Sequence, residues 1–228
     1  MEDSVRLNKF LAEQLGLSRR QADDLIAAGK VRINGKVAVL GRRVRPDDEV
    51  TCDGEPVVGT VQYIYLGMNK PVGYVCSRRR QGEVPTIFEL LPEKYRQLKT
   101  VGRLDKDSSG LILLTNDGDF AFRMTHPKYQ KTKVYEVALD RPLAPLHQQE
   151  IADFGIEIGD GISKMGLEKM DEGRKNWKVY LSEGRNRQIR RTFGALGYTV
   201  AKLHRIQFGP YQLAELKEGE ITEVRKID

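Results

Sequence analysis

The chain has 228 residues, 38 Lys+Arg against 32 Asp+Glu for a net charge of +6, and a mean hydropathy of −0.50. Its longest apolar runs, such as 111–114, are too short to cross a bilayer, residues 1–20 hold no apolar stretch of secretory-signal type, and Cys52 and Cys76 alone make neither a disulfide framework nor a zinc site. These features predict a soluble, cytoplasmic protein, and the sequence pI of about 9.2 points toward a polyanionic partner.

Leu7, Phe10, Leu11 and Leu15 recur at helical spacing, with Gly16 as a stop. Ser18 then caps a second helix and Gln21 completes a capping box. Ala22, Leu25 and Ile26 form the apolar stripe of that helix, and Gly29 suits the left-handed position after it. Val31 and Ile33 alternate with charges up to Asn34 and Gly35, a tight-hairpin signal. The Gly- and Pro-punctuated stretch 54–59 reads as a linker, dividing the chain into a module of residues 1–59 and a domain of residues 60–228.

Beyond it, 63–66, 111–115, 134–139 and 177–181 favour strands. Alternation over 133–139 puts Tyr135, Val137 and Leu139 on one face and Glu136 on the other. Residues 188–196 read as a helix with Ile189, Phe193 and Leu196 inward and Gly197 as its stop. The fold class is α+β.

The charge is concentrated. Residues 19–45 carry eight basic and two acidic side chains, and residues 174–205 carry nine basic side chains against Glu183 alone. Two such runs predict phosphate contacts. Arg19 and Arg20 fall in the first turn of the second helix, where the helix dipole disfavours cations and a phosphate would compensate. Aromatic residues are only 7% of the chain, against a binder that works by stacking alone. No phosphate-cradling Gly loop or dinucleotide fingerprint is present, so no nucleotide cofactor is expected.

The densest polar segment is Gly102-Arg103-Leu104-Asp105-Lys106-Asp107-Ser108-Ser109-Gly110. It can be read as a plain polar loop before a buried strand, or as a reactive carboxylate held ionised by Arg103 and Lys106. A calcium loop fits at Asp105, Asp107, Ser109 and Gly110 but fails at the twelfth position, which is Asn116. His126, His147 and His204 show no metal spacing, and no metal site is predicted.

Two resemblances cover almost the whole chain. Arg6 to Leu11, Ser18 to Ala22, Ile26, Gly29 to Val31, and Asn34-Gly35 resemble the S4-type RNA-binding module, an αα-hairpin leading into strands. Residues 103–111 with 114–118, 66–73, 133–135 and 183–191 resemble, in order, the motifs of pseudouridine synthases, in particular the ribosomal RNA branch of RsuA/RluB type. That resemblance implies a mixed, largely antiparallel catalytic sheet and the isomerisation of uridine to pseudouridine in ribosomal RNA, without metal or organic cofactor.

It further implies that Asp105 is the catalytic carboxylate, as sugar nucleophile or as base at C2′, and that Arg190 pairs with it. Tyr135 would stack on the uracil, Ile189 would pack against the ring, and Arg103 would fill the space the flipped nucleotide leaves. Lys70 and Pro71 belong to a supporting motif, with Lys70 counted among the substrate-binding residues beside Arg187, Arg19 and Arg20. The expected partner is a structured ribosomal RNA stem-loop bound by a monomer, without a membrane. The stretch 183–187 leans toward large-subunit RNA. A non-catalytic ribosome-assembly factor on the same fold is the rival, and a metal-dependent phosphate-transfer enzyme using Asp105 and Asp107 is a third reading.

Overall fold

Both amphipathic segments near the N-terminus are helices in the computed structural model, which describes residues 4–59 and 61–227: α1 (Leu7–Gln14) and α2 (Arg19–Ala27). The capping box at α2 is formed in both directions, Gln21 N donating to Ser18 Oγ at 3.2 Å and Ser18 N to Gln21 Oε1 at 2.9 Å. Leu7, Leu11, Ala22 and Ile26 face inward onto Val31, Ile33 and Val50. Leu15 is exposed instead, because α1 ends at Gln14 before its last apolar position. Asn34 and Gly35 both take positive φ, the geometry of a type I′ hairpin, and join β1 (Val31–Ile33) to β2 (Lys36–Val37).

The predicted linker is corrected here. Asp53 and Gly54, both at positive φ, turn β3 (Val50–Cys52) into β4 (Glu55–Pro56), which pairs with it, and Val57 is buried in the same core. The order of this small sheet is β2-β1-β3-β4. Pro56, which lacks an N–H, is tolerated because β4 is the edge. The chain divides into its two compact units between Tyr63 and Ile64.

The second unit is built on one large sheet. Its strands are β5 (Tyr65–Lys70), β6 (Lys99–Val101), β7 (Ser109–Thr115), β8 (Lys133–Leu139), β9 (Gly166–Lys169), β10 (Asn176–Leu181), β11 (Val200–Phe208), β12 (Tyr211–Gln212) and β13 (Ile221–Glu223). The main path runs β9-β10-β8-β11-β7-β5-β13, with β12 on β11 and β6 on β7. Every pairing is antiparallel except β7 with β11. Helices α3 (Gly118–Thr125), α4 (Pro145–Gln149) and α5 (Gln188–Ala195) complete the unit.

The sheet buries both faces. Leu66, Ile112, Tyr135, Val137, Trp177, Ile189 and Phe193 share one core, while Leu111, Leu113, Phe120, Met124 and Phe208 share another. All seven residues of β7 are buried, as a strand covered on both sides requires.

The parallel contact places Ser109 opposite His204 and Gly110 opposite Arg205. Gly110 lies at φ +104°, and a Cβ there would collide with the backbone of Arg205. Gly110→Ala is therefore expected to destabilise the protein by at least about 2 kcal/mol, since neither the positive φ nor the backbone clash can relax alone. Urea unfolding monitored by circular dichroism checks this, and a variant within 0.5 kcal/mol of wild type, about the spread of neutral substitutions, would refute it.

Candidate active site

A cavity of about 350 Å³ opens where the loop between β6 and β7 meets the faces of β8 and β11 and the start of α5. Arg103, Leu104, Asp105 and Ser108 line it from the loop, Lys133 and Tyr135 from β8, Leu203, Arg205 and Phe208 from β11, and Gln188 and Ile189 from α5. Its size suits a single base or nucleoside.

The Asp105 loop is pinned from both sides. Lys70 Nζ donates to the Ser108 carbonyl at 2.7 Å and to the Pro71 carbonyl at 2.9 Å. Gly73 N donates to Lys106 O, Leu104 N to Cys76 Sγ, and Ser108 N back to Asp105 O. Ser109 Oγ and His204 Nδ1 lie 2.8 Å apart, tying the end of the loop to β11. Asp105 itself keeps a third of its side chain exposed at the cavity.

The predicted residues are thus sorted by geometry. Asp105, Arg103, Tyr135, Ile189 and Arg187 all line the cavity, whereas Arg190 and Lys70 do not. Lys70, expected to bind substrate, is fully buried and outside the cavity lining, and two of its three ammonium donors go to loop carbonyls, which places it to hold the loop. Burial pushes its pKa down, opposed by the negative charges of Asp105, Asp107 and Glu218.

Arg190 differs from expectation as well. Its Nη2 donates to Asp107 O at 2.8 Å, its Nη1 to Val200 O at 2.7 Å, and its Nε lies 3.3 Å from Asp107 Oδ2. The cation nearest Asp105 is Arg187, with Nη1 3.7 Å from Oδ2. Arg187 also grips Asp107 with both terminal nitrogens, at 3.0 and 3.2 Å. Asp107 is therefore the ionic hub. Burial opposes its ionisation, but the hydrogen bond from Arg187 and the charges of Arg190 and Arg187 prevail and hold its carboxyl below the usual range. Arg187 adopts φ +47° at the entry to α5, a left-handed turn that helps aim its guanidinium back across the loop.

The basic run 174–205 is also less free than its charge suggests. Arg185 pairs with Asp160 and Glu183, Arg191 with Asp160, and Arg174 donates to Leu143 O and stacks on Trp177. Asp160 lies 25 and 31 residues from the two arginines it pairs with, so spacing alone could not reveal it. Within the first unit, Arg19 and Arg20 are exposed and have no hydrogen-bond or ion-pair partner among the described residues.

Among the cavity residues outside the sequence-predicted set are two cations, Lys133 and Arg205. Lys133 stands two positions before Tyr135 on a strand, and that alternation already puts both on one face. Arg205 had no local signal: it lies opposite Tyr135 only through the β8–β11 register.

Residues 64–195 match the family model described as RNA pseudouridylate synthase, and residues 5–50 match the S4 domain. The chain belongs to the RNA pseudouridylate synthase family. This synthase is 40% identical to the ribosomal small subunit pseudouridine synthase A of Pasteurella multocida, over 95% of this chain and 94% of that protein. It is 35% identical to the ribosomal large subunit pseudouridine synthase B of Bacillus subtilis, over 96% of this chain and 91% of that one. A crystal structure of a pseudouridylate synthase superposes with a TM-score of 0.69 at 36% identity, covering 97% of this chain and 96% of the other. The synthase is an isomerase of α+β fold with an N-terminal S4 domain.

Because Lys70 serves the loop and not the ligand, Lys70→Met should destabilise the synthase by about 1–3 kcal/mol per orphaned carbonyl. Chemical denaturation measures this, and a Lys70→Met protein of wild-type stability would contradict the assignment.

Proposed function

We propose that this synthase converts uridine to pseudouridine in ribosomal RNA, with Asp105 as the catalytic carboxylate. The observation that carries the reading is the position of Asp105: partly exposed at a nucleoside-sized cavity that Tyr135 also lines, on a loop fixed by Lys70, Gly73 and Cys76.

The target uridine must leave its stack before its glycosidic bond is reached, at a cost of a few kcal/mol. Tyr135 and Ile189 offer the aromatic and aliphatic surfaces between which a flipped ring packs, and exposed Arg103 stands at the cavity where it can occupy the vacated stack. The Asp105 carboxylate then attacks C1′ or removes the C2′ hydrogen. Arg187 Nη1 lies 3.7 Å from that carboxylate, while Arg190 acts one step removed by holding Asp107 and the loop. Tyr135 lies where the C5 proton must finally leave.

Relatives named for the small-subunit enzyme and for the large-subunit enzyme both match over nearly the full chain, which supports ribosomal RNA as the substrate class. The stretch 183–187 favours large-subunit RNA, and mapping pseudouridines in both rRNAs from cells with and without the protein assigns the site.

Asp105→Asn should lower isomerisation by at least about 10²–10⁴-fold while RNA affinity stays near wild type. Retained turnover in that variant would remove Asp105 from the mechanism. The exposed Arg19 and Arg20 provide the phosphate contacts of the S4 unit. Changing both to Ala should weaken RNA binding and reduce the slope of log K against log salt by between about 1 and 2. An unchanged slope would show that they touch no phosphate.

A further inference from the structure

Two cations, Arg205 and Lys133, line the cavity side by side along β11 and β8. Arg205 is 2% exposed; its Nε donates to Leu111 O at 2.8 Å and its guanidinium stacks on Phe208, but Nη2 is buried without a hydrogen-bond partner. Lys133 extends from β8 over the same Phe208 ring, at 5.4 Å from the centroid. Its Nζ donates to the carbonyls of Lys131 and Glu183, at 3.3 and 3.2 Å, leaving one of its three N–H donors unassigned. Among the described residues, neither cation forms an ion pair. Both line the cavity that holds Asp105 and Tyr135.

A buried guanidinium beside a half-buried ammonium is costly unless something negative joins them. The side chains that could do so are committed elsewhere: Glu183 to Arg185 and Gln188, and Asp105 toward Arg187. Arg205 and Lys133 also repel each other. Burial, the Arg205 charge and the opposing attraction of Glu183 together set the Lys133 pKa at about 8. The groups facing Nζ are Arg205 from β11, Glu183 from the loop after β10, and Lys131 just before β8.

We propose that Lys133 Nζ and Arg205 Nη2 together receive a carbonyl oxygen of the bound uracil and hold the negative charge that the base acquires when it detaches from the ribose. This rests on the proposed function and adds to it the groups that stabilise the leaving base. When the C1′–N1 bond breaks, its electron pair stays on uracil, and the resulting anion shares its charge between N1, O2 and O4. The Asp105 carboxylate either forms a bond to C1′ or takes the C2′ proton, so either route releases the same uracil anion. C5 then supplies the electron pair for the new bond to C1′ as the Asp105–C1′ bond breaks or, on the other route, as C2′ regains its proton. The C5 proton finally leaves to a base and N1 takes up a proton, so that C5–H is exchanged for N1–H. Pre-placed donors at the carbonyl oxygen act on the charge only as it develops, which makes them worth more than ground-state contacts.

The test uses the full chain with transcribed rRNAs of both subunits, made with uridine or with 5-fluorouridine. Fluorine makes the departing uracil anion more stable, so its release needs less help. Lys133→Met should lower the single-turnover rate on uridine RNA by about 10²–10³-fold with RNA affinity unchanged. Its defect on 5-fluorouridine RNA, which has no C5 proton to lose and is followed as disappearance of 5-fluorouridine by nucleoside chromatography, should be at least tenfold smaller. The wild-type rate should fall as pH rises above about 8, and Lys133→Met should lack that decline. Lys133→Gln, which keeps the donors without the charge, serves if Lys133→Met does not fold, and must show the same smaller defect.

Equal defects on the two substrates, a loss confined to RNA affinity, or a persistent alkaline decline in the variant would overturn the inference. Wild-type conversion with undiminished Lys133→Met activity would overturn it alone. A wild-type protein that converts no uridine in either rRNA would overturn the proposed function and this inference with it.

Discussion

The site depends on one close approach: β7 runs parallel to β11 with Gly110 against Arg205, in a sheet otherwise paired antiparallel. Only a residue without Cβ allows that contact. Through it, the loop ending at Ser108 is delivered to the face of β11, and Tyr135 on β8 is set beside Arg205 by the next pairing in the sheet. Remove the approach and Asp105, Tyr135 and Arg205 no longer share a cavity.

A second constraint is electrostatic. Lys70, Arg187 and Arg190 gather around the two carboxylates of the loop, Asp105 and Asp107, and Lys133 and Arg205 add two more cations at the cavity. Asp107 takes most of the pairing, which leaves Asp105 lightly held and available for chemistry. The division is physical: a carboxylate gripped by a bidentate guanidinium and a second arginine is a poor reagent, whereas one with a single cation at 3.7 Å stays accessible. The excess cations make the cavity suited to a base that becomes an anion.

Much of this was legible in the chain. The capping box at Ser18 and Gln21, the Asn34-Gly35 hairpin and the face carrying Tyr135, Val137 and Leu139 are local patterns, decided by hydrogen bonds and side-chain alternation within a few residues. The error at residues 54–59 has the opposite cause: Gly54 and Pro56 look like punctuation, but a turn and an edge strand use the same residues as a linker. Leu15 fails likewise, since helix length and not periodicity decides whether a fourth apolar position is buried.

By itself, then, the sequence determined the element types, the two-part organisation, the motif that places Asp105, and the side-chain faces of β8 and α5, because each follows from neighbours along the chain. The tertiary structure alone decided the partners. That Arg190 and Arg187 hold Asp107, that Lys70 clamps a loop instead of a ligand, that Arg185 and Arg191 are neutralised by Asp160, and that Arg205 meets Lys133 over Phe208 all join residues tens of positions apart. Charge pairing depends on distance in space, and a list of charges in order along the chain does not contain that distance.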